Sequence, residues 1–170
     1  MRKLKLVLPA LALLAGCASY TWRPSVPEGS RTVSVPVFRN ETDVSALGSA
    51  VARQTLREFQ REGTYSVADS NDCALEVQGV LTSASSGTVA YERRTGARNR
   101  ERRFKAVATV SFVDKAGGRT LLERKYKAET TFLVNDDVVT GERDASGRLA
   151  EDLARQIVDD ALALDWKGGE

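Results

Sequence analysis

The side chains that could take part in chemistry or ligand binding are two cysteines and a cluster of arginines. The 170-residue chain contains no histidine, which removes the usual general base, the Ser-His-Asp and Cys-His arrangements, and most transition-metal sites. Its two cysteines, Cys17 and Cys73, are too few for a zinc site or a disulfide framework. The sequence therefore predicts a protein that is not an enzyme and that needs no metal or other cofactor.

Cys17 follows a segment with the features of a secretory signal peptide. Basic residues at positions 2, 3 and 5 precede an apolar run from Leu6 to Ala15. That run is too short to cross a bilayer as a helix, which needs roughly 20 apolar residues. The segment Leu14-Ala15-Gly16-Cys17 resembles the lipobox of bacterial lipoproteins. In that motif the chain is cleaved before the cysteine, and the thiol receives a diacylglyceryl group.

Processing at Cys17 changes the charge and the location of the protein. Removal of residues 1–16 leaves 22 basic and 23 acidic side chains, a net charge of −1. More than one acyl chain makes membrane anchoring stable. Because Ala18 rather than an aspartate follows the cysteine, similarity to sorted lipoproteins predicts the periplasmic side of the outer membrane. With Cys17 acylated, Cys73 has no intrachain partner and is predicted to be a small buried residue where a strand starts.

Hydrophobic patterning then predicts a tether followed by a first strand. Residues 17–30 contain two prolines and a glycine without an apolar period, which is typical of a tether. Residues 32–38 are β-branched and aromatic and predict a strand, in which Pro36 marks an edge or a bulge because proline cannot donate to a β-ladder. Residues 39–43 are polar and predict a turn.

The next pattern is helical and covers residues 45–62. Its predicted buried stripe consists of Leu47, Val51, Thr55 and Phe59. Gly63 is well placed as the C-terminal cap. Residues 65–67 predict a short extended piece after the helix.

Three longer strands are predicted by alternation of apolar and polar residues over 75–81, 104–113 and 122–129, with a hairpin loop at 114–118. Alternation of this kind favours a sheet with one face on a core and the other toward water or a partner. A polar stretch at 132–146 is predicted to be irregular. A second helix is predicted over residues 147–164, with a stripe formed by Leu149, Leu153, Ile157 and Ala161.

The predicted order β-α-β-β-β-α defines an α+β fold. Two helices on one face of a mostly antiparallel, mixed four-stranded sheet form a two-layer α/β sandwich. The first strand-helix-strand crossover allows one parallel pair of strands and should be right-handed. One domain over residues 31–166 accounts for the chain after the tether.

A dense basic block precedes the strand predicted at 104–113. Seven basic residues fall within thirteen positions, namely Arg93, Arg94, Arg98, Arg100, Arg102, Arg103 and Lys105. Arginine binds phosphate with a planar fork, and strand alternation places Arg103 and Lys105 on the outer face. Outside the cytoplasm nucleic acid is a poor partner, whereas lipopolysaccharide offers the phosphates of lipid A. The alternative is a solubilising loop whose charges protect a sheet edge.

Several segments together resemble one family of envelope proteins. They are the lipobox, an early aromatic residue (Tyr20), and residues 32–42, 58–63, 74–81 and 149–158. Their order and spacing resemble the LptE family of lipopolysaccharide-assembly lipoproteins. The resemblance implies a two-layer α/β domain that plugs the β-barrel of LptD, assists its assembly, binds lipopolysaccharide through basic side chains and carries out no chemistry. The seven basic residues are nominated from their charge, because the family's contacts do not align securely with this chain.

A second class of lipoprotein has a similar beginning. Residues 33–40 followed by a helix also resemble periplasmic lipoproteins that activate cell-wall synthases or build secretion channels. Those proteins usually alternate strands and helices more regularly. The three long strands between the two predicted helices favour the LptE-like interpretation.

Overall fold

A computed structural model describes residues 26–91, 100–134 and 138–166. The predicted signal segment and Cys17 lie outside these ranges. The strands are β1 (Thr32–Ser34), β2 (Arg39–Asn40), β3 (Ser66–Val67), β4 (Leu75–Tyr91), β5 (Arg100–Asp114) and β6 (Arg119–Val134), and the helices are α1 (Leu47–Glu62) and α2 (Val138–Leu162). A single 3-10 turn, Glu28–Ser30, precedes β1 in the described chain. Neither helix is long and apolar enough to cross a membrane.

The six described strands form one mixed sheet in the order β3-β1-β4-β5-β6, with β2 also beside β4. β1 runs parallel to β3 and β4, and β2 runs parallel to β4, whereas β4, β5 and β6 form an antiparallel meander. The predicted α+β class and the parallel crossover pair are confirmed. The predicted count of four strands is wrong because the first strand is interrupted around Pro36 and continues as β2, where a turn was predicted, and because β3 joins the edge.

Both helices cover the same face of the sheet. α1 packs against α2 and against β2, β3 and β4, while α2 packs against β5 and β6. All four residues of each predicted stripe are buried. Gly63 has the left-handed φ of 83° that ends α1, and its N–H donates to the Phe59 carbonyl at 3.0 Å, so the predicted cap is confirmed.

The start of α2 differs from the sequence prediction. β6 continues to Val134 and α2 begins at Val138, so most of the stretch predicted as irregular is regular structure. Tertiary contacts outweigh the weak helix propensity of this segment. At Gly141 the helix approaches the sheet so closely that a Cβ would lie 2.6 Å from the Phe132 ring. One residue later, Glu142 accepts a hydrogen bond from the Ser86 hydroxyl at 2.6 Å.

The sheet narrows from six strands to three along β4. This strand pairs with β1 at Leu75 and Glu76 and with β2 at Val80 and Leu81, and beyond that point its described partner is β5 alone. We call residues 82–91, 100–107 and 127–134 the distal sheet, and the remainder, with β1 to β3, the basal sheet. Over the distal sheet the helical layer consists of the first turns of α2.

A β-bulge marks the transition between the two parts. The pairing of β4 with β5 shifts by one residue between Leu81 and Ser83, and again between Thr88 and Ala90. Before the first shift, Leu75, Val77 and Leu81 are buried under the helices. After it, Ala84 and Ser86 lie opposite Ala106 and Phe104, which are buried on that same face. The extra residue therefore changes the alternation of β4 by one position.

Candidate functional site

The predicted basic block maps to the distal end of the sheet. Arg93, Arg94 and Arg98 lie outside the described residues, in the segment that joins β4 to β5. Arg100 opens β5, where its backbone pairs with Tyr91 and Val134. The described side chains of the block are those of Arg102, Arg103 and Lys105, all on β5.

Strand alternation separates these three side chains. Phe104 and Ala106 are each 1% exposed beneath the helical layer, and Arg102 shares their face of β5. Arg103 and Lys105 lie on the opposite face, as the alternation predicts. The structure therefore brings together two of the three described cations and assigns the third to the interior side of the sheet.

Arg102 is bound to the fold itself. One of its terminal nitrogens donates to the Ser86 carbonyl at 3.3 Å, and the Ser86 hydroxyl in turn donates to Glu142 of α2 at 2.6 Å. The Arg102 Nε is buried and has no hydrogen-bond partner within the described residues. Ser86 therefore connects Arg102 with the start of α2, and the Arg102 guanidinium, on the interior side of the sheet, is not available to a ligand on the outer face.

Arg103 and Lys105 share one carboxylate on the outer face. The Arg103 Nε lies 3.9 Å from Glu129 Oε1, and the Lys105 Nζ lies 3.5 Å from Glu129 Oε2. All three side chains are about half exposed, and exposed ion pairs of this kind are worth at most about 1 kcal/mol. The trio retains one surplus positive charge, which an incoming anion can bind by displacing Glu129.

Small residues of β4 leave an open trough beside the two cations. Ser85 pairs with Lys105 and Gly87 pairs with Arg103, and a Cβ at Gly87 would meet no atom within 4 Å. The trough has a volume of about 370 Å³ and is lined by Ser85, Ser86, Gly87, Thr88, Arg103 and Lys105. A phosphate group placed here would reach a guanidinium fork and an ammonium group at once.

Sequence reasoning missed half of this trough. It predicted a first long strand over residues 75–81 from the alternation of apolar and polar residues, which does not continue into residues 82–88. The run of small residues after that strand, opposite a basic strand, was the available signal.

A larger cleft lies between the two helices and was also missed. Its volume is about 630 Å³, and its charged lining residues are Arg53, Arg57, Arg143, Asp43 and Glu142. The charged residues that line this cleft have a surplus of one positive charge, and so do Arg103, Lys105 and Glu129 at the trough. The trough, however, lies on a strand that begins with Arg100 and is preceded in the sequence by Arg93, Arg94 and Arg98, so we regard it as the candidate site.

Comparison with known proteins places the chain in a family. The family described as "LptE: Lipopolysaccharide-assembly" matches residues 30–161, which is more than half of the sequence. The chain belongs to the LptE family. The resemblance found in the sequence is thereby confirmed, and the protein is a lipopolysaccharide-assembly lipoprotein. The family is non-catalytic, and its lipoproteins are associated with the outer membrane.

Solved structures support the same fold for this LptE-family chain. A candidate lipoprotein from Caulobacter crescentus matches with a TM-score of 0.57 and 13% identity, covering 84% of this chain and 95% of that one. A minor lipoprotein from Acinetobacter baumannii matches with a TM-score of 0.52 and 14% identity, covering 79% and 96%. Protein XCC0632 from Xanthomonas campestris has a TM-score of 0.56 and 10% identity, covering 83% and 89%. None of the curated proteins compared with the sequence matches it significantly.

Proposed function

We propose that this LptE-family protein is anchored to the outer membrane through acylated Cys17 and binds the phosphates of lipopolysaccharide with Arg103 and Lys105. In this proposal it acts as the plug and assembly partner of an LptD-like β-barrel. The observation that supports it best is the pair of half-exposed cations that share Glu129 beside the open trough. Membership in a lipopolysaccharide-assembly family makes a lipid A phosphate the anion of choice.

The geometry suits a phosphate on a bulky glycolipid. The trough is open to solvent and its floor consists of Ser85 and Gly87, so β4 leaves room for an approaching phosphate, which displaces Glu129 from the two cations. Serine hydroxyls can donate to phosphate oxygens in addition. Because the site is exposed, its attraction is screened by salt.

The outer face of the sheet supports the plug role. No described element covers this face, and its β6 strand exposes the charged residues Glu123, Lys125, Lys127 and Glu129. Mixed charge of this kind is compatible with the polar, hydrated lumen of a large barrel. The helical face, by contrast, is occupied by α1 and α2.

A double charge reversal tests the lipopolysaccharide site. Arg103→Glu with Lys105→Glu, introduced in the full chain in detergent micelles, should weaken binding of purified lipopolysaccharide at least tenfold at low salt. Lys125→Glu with Lys127→Glu provides a matched control, because it makes the same change in charge on the same face of the sheet, but on β6 and away from the trough. Equal loss in the two variants, or no loss in the first, would contradict the assignment.

Two further experiments test the anchor and the partner. Cys17→Ser should abolish labelling of the protein with a radioactive fatty acid, and persistent labelling would contradict the lipid anchor. A pulldown through the acylated protein should recover a large outer-membrane barrel. Recovery of a penicillin-binding protein instead would favour the regulatory lipoprotein class that shares the sequence features of residues 33–40.

A further inference from the structure

The two long edges of the meander differ in how they are protected. On the open side of β6, the Gln156 amide donates to the Lys127 carbonyl at 3.1 Å. One terminal nitrogen of Arg148 donates to the Thr131 carbonyl at 3.0 Å. Charged side chains also line this strand, including Lys125. Side-chain caps and charges are the means by which proteins prevent an exposed edge from pairing with another chain.

The distal edge of β4 has much less protection. Residues 82–91 contain no charged residue and no proline. Beyond Leu81 none of the strands in residues 26–91, 100–134 and 138–166 pairs with this side of β4. An edge that is uncharged, free of proline and ten residues long is a template for an added strand.

The sheet registers identify the backbone groups that face the open side. On β6, the residues whose carbonyls accept bonds from α2 side chains direct their backbone groups away from β5. In an antiparallel sheet this direction alternates along each strand and is linked between paired residues, so the pattern on β6 determines the pattern on β4. On β4 it directs the backbone groups of Ser85 and Gly87 toward β5. The residues that direct theirs to the open side are Ala84, Ser86 and Thr88. The bond from Arg102 to the Ser86 carbonyl agrees with this assignment, and an added strand would replace Arg102 at that one acceptor.

We propose that residues 83–88 of β4 pair with an extended, acidic segment of a partner protein, which adds a strand to the distal sheet. Between the two bulges the register of this stretch is uninterrupted. Its outer-facing residues, Ser85 and Gly87, are small, so carboxylates on the added strand extend over them toward Arg103 and Lys105. This charge complementarity selects an acidic segment.

A second copy of the chain is a poorer occupant of this edge. The residues that it would bring to the pairing, 82–91, carry no carboxylate, and behind them lie another Arg103 and Lys105. Pairing two copies would therefore bring together two clusters that each have one surplus positive charge. Pairing with an acidic strand is a different interaction from the proposed binding of lipopolysaccharide, because it uses the backbone edge of β4 in addition to the trough.

Hydrogen–deuterium exchange with defined peptides tests the proposal. The full chain in uncharged detergent micelles is mixed with an eight-residue peptide that alternates glutamate and threonine, or with the same peptide carrying lysine for glutamate. The glutamate peptide should slow amide exchange over residues 83–88 and leave the β6 edge unchanged. Arg103→Glu should weaken the glutamate peptide about tenfold and strengthen the lysine peptide, whereas Lys125→Glu, the matched control, should do neither.

A backbone-methylated glutamate peptide separates strand pairing from simple charge attraction. Methylation removes N–H donors and keeps the carboxylates, so this peptide should bind at least tenfold more weakly. Equal binding of the methylated peptide would overturn the proposal, as would protection of β6 in place of β4. Protection of residues 83–88 by phosphatidylglycerol vesicles but by neither peptide would also overturn it. Lipopolysaccharide binding is measured separately, so either proposal can fail alone.

Discussion

The basal and distal parts of the sheet are built from different kinds of side chain. In the basal sheet large apolar residues interlock, and the Phe38 ring, 2% exposed, lies where a Cβ at Gly79 would overlap it. In the distal sheet residues 82–88 of β4 are small or polar, and Ser86 among them bonds to the charged side chains of Arg102 on β5 and Glu142 on α2.

This difference indicates that the basal part of the sheet stabilises the fold and that the distal part serves binding. Close-packed apolar contacts in the basal part supply stability, because filling or emptying such a core is costly. The distal part has a surplus of cations, a trough and an incompletely paired edge, and these are features that a ligand or partner can use. We therefore expect substitutions in the basal part to change folding and substitutions in the distal part to change binding or local order.

The largest expected effect comes from Phe38→Ala in the basal sheet. Loss of this buried ring should lower the free energy of unfolding by about 4 kcal/mol, measured by denaturant titration. Val37→Ala is the control, because Val37 is the neighbouring residue and is 72% exposed; its change should stay within about 0.5 kcal/mol. Similar losses in both variants would remove the distinction between a packed basal core and its surface.

A smaller and local effect is expected for Gly141→Ala above the distal sheet. The new methyl group would press on the Phe132 ring at 2.6 Å and should cost about 2 kcal/mol. Hydrogen exchange should accelerate in the first turns of α2 and remain unchanged in α1. Gly147→Ala is the control on the same helix, since a Cβ there meets no atom within 4 Å, and it should be neutral or stabilising. Faster exchange throughout the domain would show that the distal part is not a separate local unit.

The smallest effect concerns alkaline pH and Tyr65 in the basal part. Burial raises the pKa of Tyr65 to about 12, and its hydroxyl donates to the Ala161 carbonyl at 2.9 Å. Because the pKa is higher in the folded state, the stabilisation is complete below the unfolded pKa of about 10 and is lost as pH rises toward 12. The contribution of Tyr65 to the free energy of unfolding should fall by about 1 kcal/mol between pH 10 and 11, and Tyr126, whose pKa burial also raises, adds to the same slope. Tyr65→Phe should reduce that slope, and an unchanged slope would assign it to other groups.

Alternating and helical periodicity predicted the packed parts of the fold well. The stripes of α1 and α2 are buried as their spacing indicates, because a helix with one apolar face has one way to bury it. Cys73, predicted to be a small buried residue, is 7% exposed just before β4. These features depend on neighbouring residues in the chain, which is why the sequence alone determines them.

The parts that were missed depend on contacts between distant residues. α2 starts early because Gly141 packs on Phe132 and because Glu142 binds Ser86, which lies 56 positions away. Local propensity contains no information about such pairs. For the same reason the position of Arg103 on the outer face was predictable, whereas its shared partner Glu129 was not.

The bulge between Leu81 and Ser83 determines which side chains the ligand meets. A regular pairing of β4 without the bulge would continue the alternation of Leu75, Val77 and Leu81 and exchange the two faces of β4 in the distal sheet. Ala84 and Ser86 would then point to the solvent, and Ser85 and Gly87 would turn inward beneath α2. The composition of the recognition surface therefore depends on the register of β4, so a one-residue shift in pairing changes which side chains reach the solvent while the amino-acid sequence stays the same.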